Sequence, residues 1–256
     1  MKAPALLIAA LAAGGLGLWW FEGSEALPVA PPPPPAPRSL QPVVAASASP
    51  TAAPVVANPV EAAAVASLSI APPSQALRTL TQCYAANACR LTRGEGMEEH
   101  FEVVRLLLEQ LDRLVAYGSP AEQAAWAREL LAFPDGHVQA AALALAAKLP
   151  PSAETAAAAV SALGKTYDAV LLGKAYPVLQ RWQQLGLGSG FDDMFLGLVH
   201  TGGWQAAQSV ADNIRPFLNA GNVGRFEQVA GQLQPGARQQ SLQRALRDYQ
   251  LQRQGG

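Results

Sequence analysis

Charge, cysteine, histidine and aromatic rings are all scarce in this chain of 256 residues: 14% is charged, 7% is aromatic, and there are two cysteines and three histidines. Two cysteines exclude a disulfide-dense miniprotein, and glycine without a three-residue period excludes collagen. One long apolar run, and no second, excludes a multi-span membrane protein. No segment alternates apolar and polar residues for long enough to argue for a sheet. From Ala76 onward sixteen basic residues face sixteen acidic ones. A nucleic-acid partner calls for a basic excess that neutralises phosphates, so none is expected here.

The residue patterns that carry chemistry are missing as well. His100, His137 and His200 have no second histidine or cysteine at metal-ligand spacing, and there is no H-E-x-x-H. G-x-S-x-G and C-x-x-C are absent. Gly164-Lys165-Thr166 ends like a phosphate-binding loop, but Ala159 stands where that loop needs glycine, and Ala156 to Leu163 reads as helix rather than strand. Gly164 is therefore expected as a helix C-cap, and no nucleotide is expected. Gly186 to Gly190 reads as an interhelix loop with Ser189 as the next N-cap. A single catalytic glutamate leaves no pattern; Glu95, between two glycines, is the first residue to consider. No catalytic residue, cofactor or metal ligand is assigned.

What the chain does have is proline at one end. Fourteen of its 21 prolines lie in the first 75 residues, among them Pro31 to Pro35. Met1-Lys2 precedes the apolar stretch Ala3 to Phe21, which spans about 28 Å as a helix and ends in Trp19-Trp20-Phe21. Residues 1–26 are expected to be a membrane anchor or a signal sequence, with Ser24-Glu25-Ala26 a tolerable cleavage site. Residues 27–74 are expected to be a disordered Pro/Ala-rich linker, stiffened where the prolines favour polyproline II. Residues 75–256 are expected to form an α-helical domain. This layout implies an inner-membrane, single-pass protein with its domain in the periplasm, or a secreted one after cleavage. It resembles the layout of tethered periplasmic proteins of Gram-negative bacteria, such as the energy-transducing TonB type and the lipase foldases.

Exported cysteines pair more often than they bind metal. Cys83 and Cys89 would lie about 9 Å apart along one continuous helix, beyond disulfide reach, so a bridge between them requires the helix to break, with Asn87 as a left-handed cap. The next helix is expected over Met97 to Tyr117, with Phe101, Val104, Leu108, Leu111 and Val115 as its apolar stripe and Glu109–Arg113 as an i,i+4 pair. Gly118 stops it. Ser119-Pro120-Ala121-Glu122 restarts the chain as a capping box with proline at N1, and that helix is expected to run to about Phe133. The run from Pro134 to Leu145 then resembles the turn and second helix of a HEAT-like repeat, over about residues 120–149. The resemblance implies an aspartate at the helix start and small residues that let paired helices pack closely. Further helices are expected over Ser152 to Leu163, Lys174 to Leu185, Ser189 to Val199, Trp204 to Leu218, Gly224 to Leu233 and Ala237 to Gln252. The fold class is all-α, an irregular helical repeat or helical bundle.

The last helix carries Arg238, Arg244 and Arg247 around a narrow apolar stripe of Leu242, Ala245, Leu246 and Tyr249. It reads either as a cap on its own domain or as a basic partner-binding surface, and the three arginines are the partner-binding candidates. The expected function is a membrane-tethered helical module that binds another envelope protein as scaffold, assembly or secretion factor. An envelope enzyme acting on peptidoglycan or an exported polymer is the alternative.

Overall fold

The computed structural model of the protein describes residues 66–91 and 96–255. The expected membrane segment, the linker up to residue 65 and Glu95 lie outside them. Among the described residues the chain is all helical, with no strand. After a helical stretch over 66–70 come α1 (Pro73–Ala85), α2 (Met97–Tyr117), α3 (Pro120–Leu131), α4 (Gly136–Lys148), α5 (Ala153–Leu163) and α6 (Ala169–Gln184). They are followed by α7 (Phe191–Thr201), α8 (Trp204–Asn213), a 3₁₀ turn (Arg215–Phe217), α9 (Val223–Gln232) and α10 (Ala237–Gln254). The boundary expected after residue 74 falls inside α1, and Leu68 is already buried.

The starts and stops follow from local chemistry. Ser119 closes a capping box with Glu122 at the head of α3, and Pro120 occupies the first helical turn. Asp135 accepts the backbone N–H groups of His137 and Val138 to start α4, Ser152 accepts from Thr155 to start α5, and Asp168 accepts from Val170 and Leu171 to start α6. Each satisfies donors that a helix leaves without partners. Gly118 and Gly164 stand at the C-caps of α2 and α5.

Successive helices pair through short turns, and second neighbours stack. Thus α3 packs on α5, α5 on α7 and α7 on α9, while α2 packs on α4, α4 on α6, α6 on α8 and α8 on α10. The result is two rows of helices with the core between them. At its middle Tyr176, Phe191, Phe195 and Phe217 form a ring cluster, with Phe195 and Phe217 centroids 4.6 Å apart. At one end Leu242, Ala245 and Leu246 of α10 are buried and Tyr249 packs against the core, so the last helix covers its own domain.

Several expectations are corrected. In α2 the buried face is Val103, Leu107, Gln110 and Leu114, joined by Val104, Leu106 and Leu111, whereas Phe101 is 62% exposed and Val115 is also exposed. The helix is sandwiched between α1 and α4, which needs two apolar faces; of the expected stripe Val104, Leu108 and Leu111 belong to the core and only Phe101 and Val115 do not. Arg113 does not pair with Glu109. It donates to Gln110 Oε1 at 2.7 Å and to the carbonyls of Leu68 and Ala71, fastening the incoming chain to α2. Glu109 pairs instead with Arg105. α6 begins at Ala169 rather than Lys174, because Asp168 caps it. Gly190, in the left-handed region at φ 81°, takes the N-cap place expected for Ser189. The helix from Trp204 ends at Asn213, and Pro216 lies in the 3₁₀ turn that follows.

Two outcomes test this packing. Leu242→Ala should lower unfolding stability by about 2–5 kcal/mol, since the side chain is fully buried. Arg247→Ala, on the exposed face, should stay within about 0.5 kcal/mol in the same urea titration. Tyr176 tests the centre: burial pushes its phenol up to about 12, against a hydrogen bond with Ser209 at 3.1 Å. A raised folded value favours the neutral form, so this stability is complete below about pH 10 and is lost as pH rises through about 12. Tyr176→Phe should flatten that part of the alkaline loss in melting scans.

Candidate interaction edge

The turns within successive helix pairs come together along one edge of the stack, and a chain of contacts makes that edge continuous. It begins at the disulfide. Cys83 and Cys89 are bonded, with Cα atoms 4.7 Å apart, and Asn87 takes a positive φ of 51° where α1 breaks. Next to it Tyr84 packs on Phe133 at a centroid distance of 4.8 Å, and its hydroxyl lies 3.0 Å from His100 Nδ1. His100 Nε2 lies 3.3 Å from Asp135 Oδ2. An imidazole protonated on Nε2 satisfies both neighbours, accepting from Tyr84 and donating to Asp135. Asp135 uses its other oxygen to cap α4, with His137 N at 2.8 Å and Val138 N at 3.1 Å. One polar chain therefore ties α1, α2 and α4 together at their edge-side ends.

The contacts continue across the next two turns through glycine. A side chain at Gly136 would place its Cβ 2.7 Å from Asp168 Oδ2, and one at Gly203 would lie 2.8 Å from the Tyr167 ring. Both approaches are closer than any Cβ allows. Tyr167 therefore lies against the turn that starts α8, and Trp204 is the next residue along. These rings face outward: Tyr167 is 75% exposed, Trp204 77% and Val170, in the first turn of α6, 67%. Met97 and Phe101, at the start of α2, are exposed too. Single exposed apolar side chains are ordinary on a protein surface, but five of them lie at the starts of α2, α6 and α8.

Beside Tyr167 the surface opens into a groove of about 730 Å³ between the α3–α4 and α5–α6 turns. Arg128, Asp135, Ser161, Lys165, Tyr167 and Asp168 supply its polar walls. Both carboxylates are engaged as helix caps. Arg128 and Lys165 make no side-chain hydrogen bond or ion pair among the described residues, although Arg128 lies close enough to Glu154 to help lower its carboxyl value. That lowering comes first from the Glu154 backbone N–H and then from Ser152. The groove thus presents Arg128 and Lys165, the two capping carboxylates and an aromatic rim. It can hold an extended chain, and it has no paired acid and base set for proton transfer.

The arginines singled out from the sequence lie elsewhere. Arg238 is half-buried, and Arg244 and Arg247 are exposed along α10, in the last pair of the stack. Arg244 lines a small cleft with Asp212, Arg215 and Asp248, so acid already faces it. Arg238 lies in the first turn of α10, at the edge-side end of the last pair, while Arg244 and Arg247 lie further along that helix. Sequence reasoning missed Tyr167 and Trp204, and the available signal was Gly202-Gly203 directly before a tryptophan. Among the described residues no cluster of histidine, cysteine, aspartate or glutamate is arranged to hold a metal ion. No described helix is long and apolar enough to cross a membrane. Comparison with known protein families, curated proteins and solved structures yields no match.

Asp135 is the test of the edge's construction. Asp135→Ala removes the α4 cap and the partner of His100 together and should cost about 1–3 kcal/mol. Asp135→Asn keeps a good cap and should cost less than about 1 kcal/mol. Equal losses in guanidinium unfolding would mean that the cap does not carry the effect.

Proposed function

We propose that the chain is a membrane-tethered periplasmic module, and that its helix-turn edge binds another envelope protein as scaffold, assembly or secretion factor. The observation that carries this reading is the concentration of exposed Tyr167, Val170 and Trp204 on adjoining turns, next to an open groove. Buried positions in both rows already have their apolar residues, so these rings are not needed for the core. The tether is supplied by the apolar and proline-rich first 65 residues, which leave the folded part free to meet its partner at a distance from the membrane.

The same reading takes the stack as HEAT-like. Its support is the pairwise stacking of the helices and the matching caps of two neighbouring pairs, Ser119 and Ser152 at α3 and α5 and Asp135 and Asp168 at α4 and α6; their 33-residue offset is shorter than the roughly 40–47 residues of HEAT repeats. Stacked helix pairs of this kind present long continuous surfaces to other proteins.

A photo-reactive residue placed at 167 or 204 in the full-length protein, in intact cells, tests the site. A discrete protein adduct from these positions, and none from 238, 244 or 247, is the expected result. Adducts confined to the three α10 positions would move the site to the arginines. No adduct anywhere, with an envelope activity abolished by one carboxylate substitution, would sink the binding reading in favour of an enzyme. A C-terminal phosphatase fusion should be active only when it lies outside the cytoplasm.

A further inference from the structure

The Cys83–Cys89 bridge sits where the end of α1 has little need of it. The Asn87 N–H donates to the Tyr84 carbonyl at 3.0 Å and the Ala88 N–H to the Cys83 carbonyl at 2.9 Å, with Asn87 left-handed between them. That pair of bonds stops a helix by itself, and asparagine tolerates the conformation. The apolar face of α1 (Ala76, Leu77 and Leu80) lies further back and is fully buried. The bridge spans a sequence separation of only six, and a short loop restrains the unfolded chain least.

Its mechanical effect lies on the far side of Cys89. Arg90 is held at φ 57°, a conformation that is costly for a residue with a long side chain. Two attachments keep it there. Behind it the bridge fixes Cys89 to α1. Ahead of it Leu91 is buried in the core, and the Leu91 N–H donates to Glu99 Oε1 at 3.2 Å. Glu99 stands in the first turn of α2, next to His100, which meets Tyr84 and Asp135. Such strain persists only where its surroundings over-determine it. The sulfurs are within reach of solvent, since both cysteines are half-buried against a hollow of about 30 Å³ that Glu99 and His100 also line.

We propose that the Cys83–Cys89 bridge is a redox-sensitive latch on the start of α2, opened by a dithiol. One thiolate of the dithiol attacks a bridge sulfur, the S–S bond breaks, and a mixed disulfide forms. The second thiol then displaces the remaining cysteine and closes the dithiol's own disulfide. The dithiol is oxidised, Cys83 and Cys89 are reduced, and its two protons end on the freed sulfurs. Arg90 relaxes to ordinary backbone, Leu91 and its bond to Glu99 shift with it, and the first turns of α2 loosen while the rest of the stack stays folded. The latch concerns the folded part alone and stands whether or not the edge binds a partner.

Full-length protein in detergent, with and without millimolar dithiothreitol, is followed by hydrogen exchange and mass spectrometry. Reduction without denaturant is expected to raise exchange about tenfold over residues 100–104 and to leave α3 and α10 unchanged. Reoxidation should restore the protection. Arg90→Asn accepts the left-handed conformation, so it should cut the rise on reduction to about threefold. Cys83→Ser with Cys89→Ser should exchange like the reduced protein and ignore the dithiol. A bridge that yields only after denaturation, or a reduced protein with unchanged exchange over 100–104, overturns the proposal. Loss of protection in α10 as well would make the bridge a staple of the whole fold rather than a latch. An Arg90→Asn protein that responds as fully as the unaltered one would remove the coupling through Arg90, and the latch with it.

Discussion

The fold depends on helices that are apolar on more than one side and slender enough to be approached from each. α4 shows the constraint most clearly. It packs on α2, α3 and α6 at once, and Val138, Ala142, Leu143, Leu145 and Ala146 are all buried around it. Alanine at two of these places keeps the helix narrow, and close packing then fills the space without voids. A helix placed in this way must have neighbours in its own row and in the facing row, so the chain is committed to two rows. The turns inside the pairs then fall together on one edge. An exposed edge of this kind is a by-product of stacking, available before any partner shapes it.

That arrangement has an electrostatic consequence. α2, α4, α6 and α8 begin side by side, so the positive ends of their backbone dipoles lie next to one another. Acids answer at three of the four: Glu98 and Glu99 in the first turn of α2, Asp135 at α4 and Asp168 at α6. α8 begins at Gly203 with no acid in its first turn. Its side of the edge carries Trp204 and the Tyr167 ring that lies against Gly203 instead.

Local signals made much of this legible from the sequence. The bounds of α2 were readable because Gly118 and the Ser119–Glu122 box are strong punctuation, and the break after α1 because a Cys83–Cys89 bridge cannot form within an unbroken helix. α6 was harder. Its true start is marked by Asp168 after an exposed tyrosine, and missing that cap also hid the likeness of the α3–α4 and α5–α6 pairs. The inward face of α2 was misjudged because periodicity finds one stripe, while Val103, Leu107 and Leu114 answer to neighbours on a second side. The aromatic edge was the least legible. Tyr167 and Trp204 are 37 residues apart, and nothing local relates them until the stack brings the Gly203 turn against the ring.

The point at which the chain joins the fold has a mechanical meaning. Arg113, near the C-terminal end of α2, grips the carbonyls of Leu68 and Ala71 and is itself held by Gln110. Sixteen residues of helix separate it from Met97, which is roughly 24 Å along the axis. In the proposed reading, tension arriving toward Leu68 would enter at one end of the stack's short dimension, while a partner on the turns would hold the other. The load runs along the helix axes, where it must shear many side-chain contacts together rather than peel one pair from the next. In that reading Arg113, which donates to the Leu68 and Ala71 carbonyls, would share such a load with the packing of Leu68.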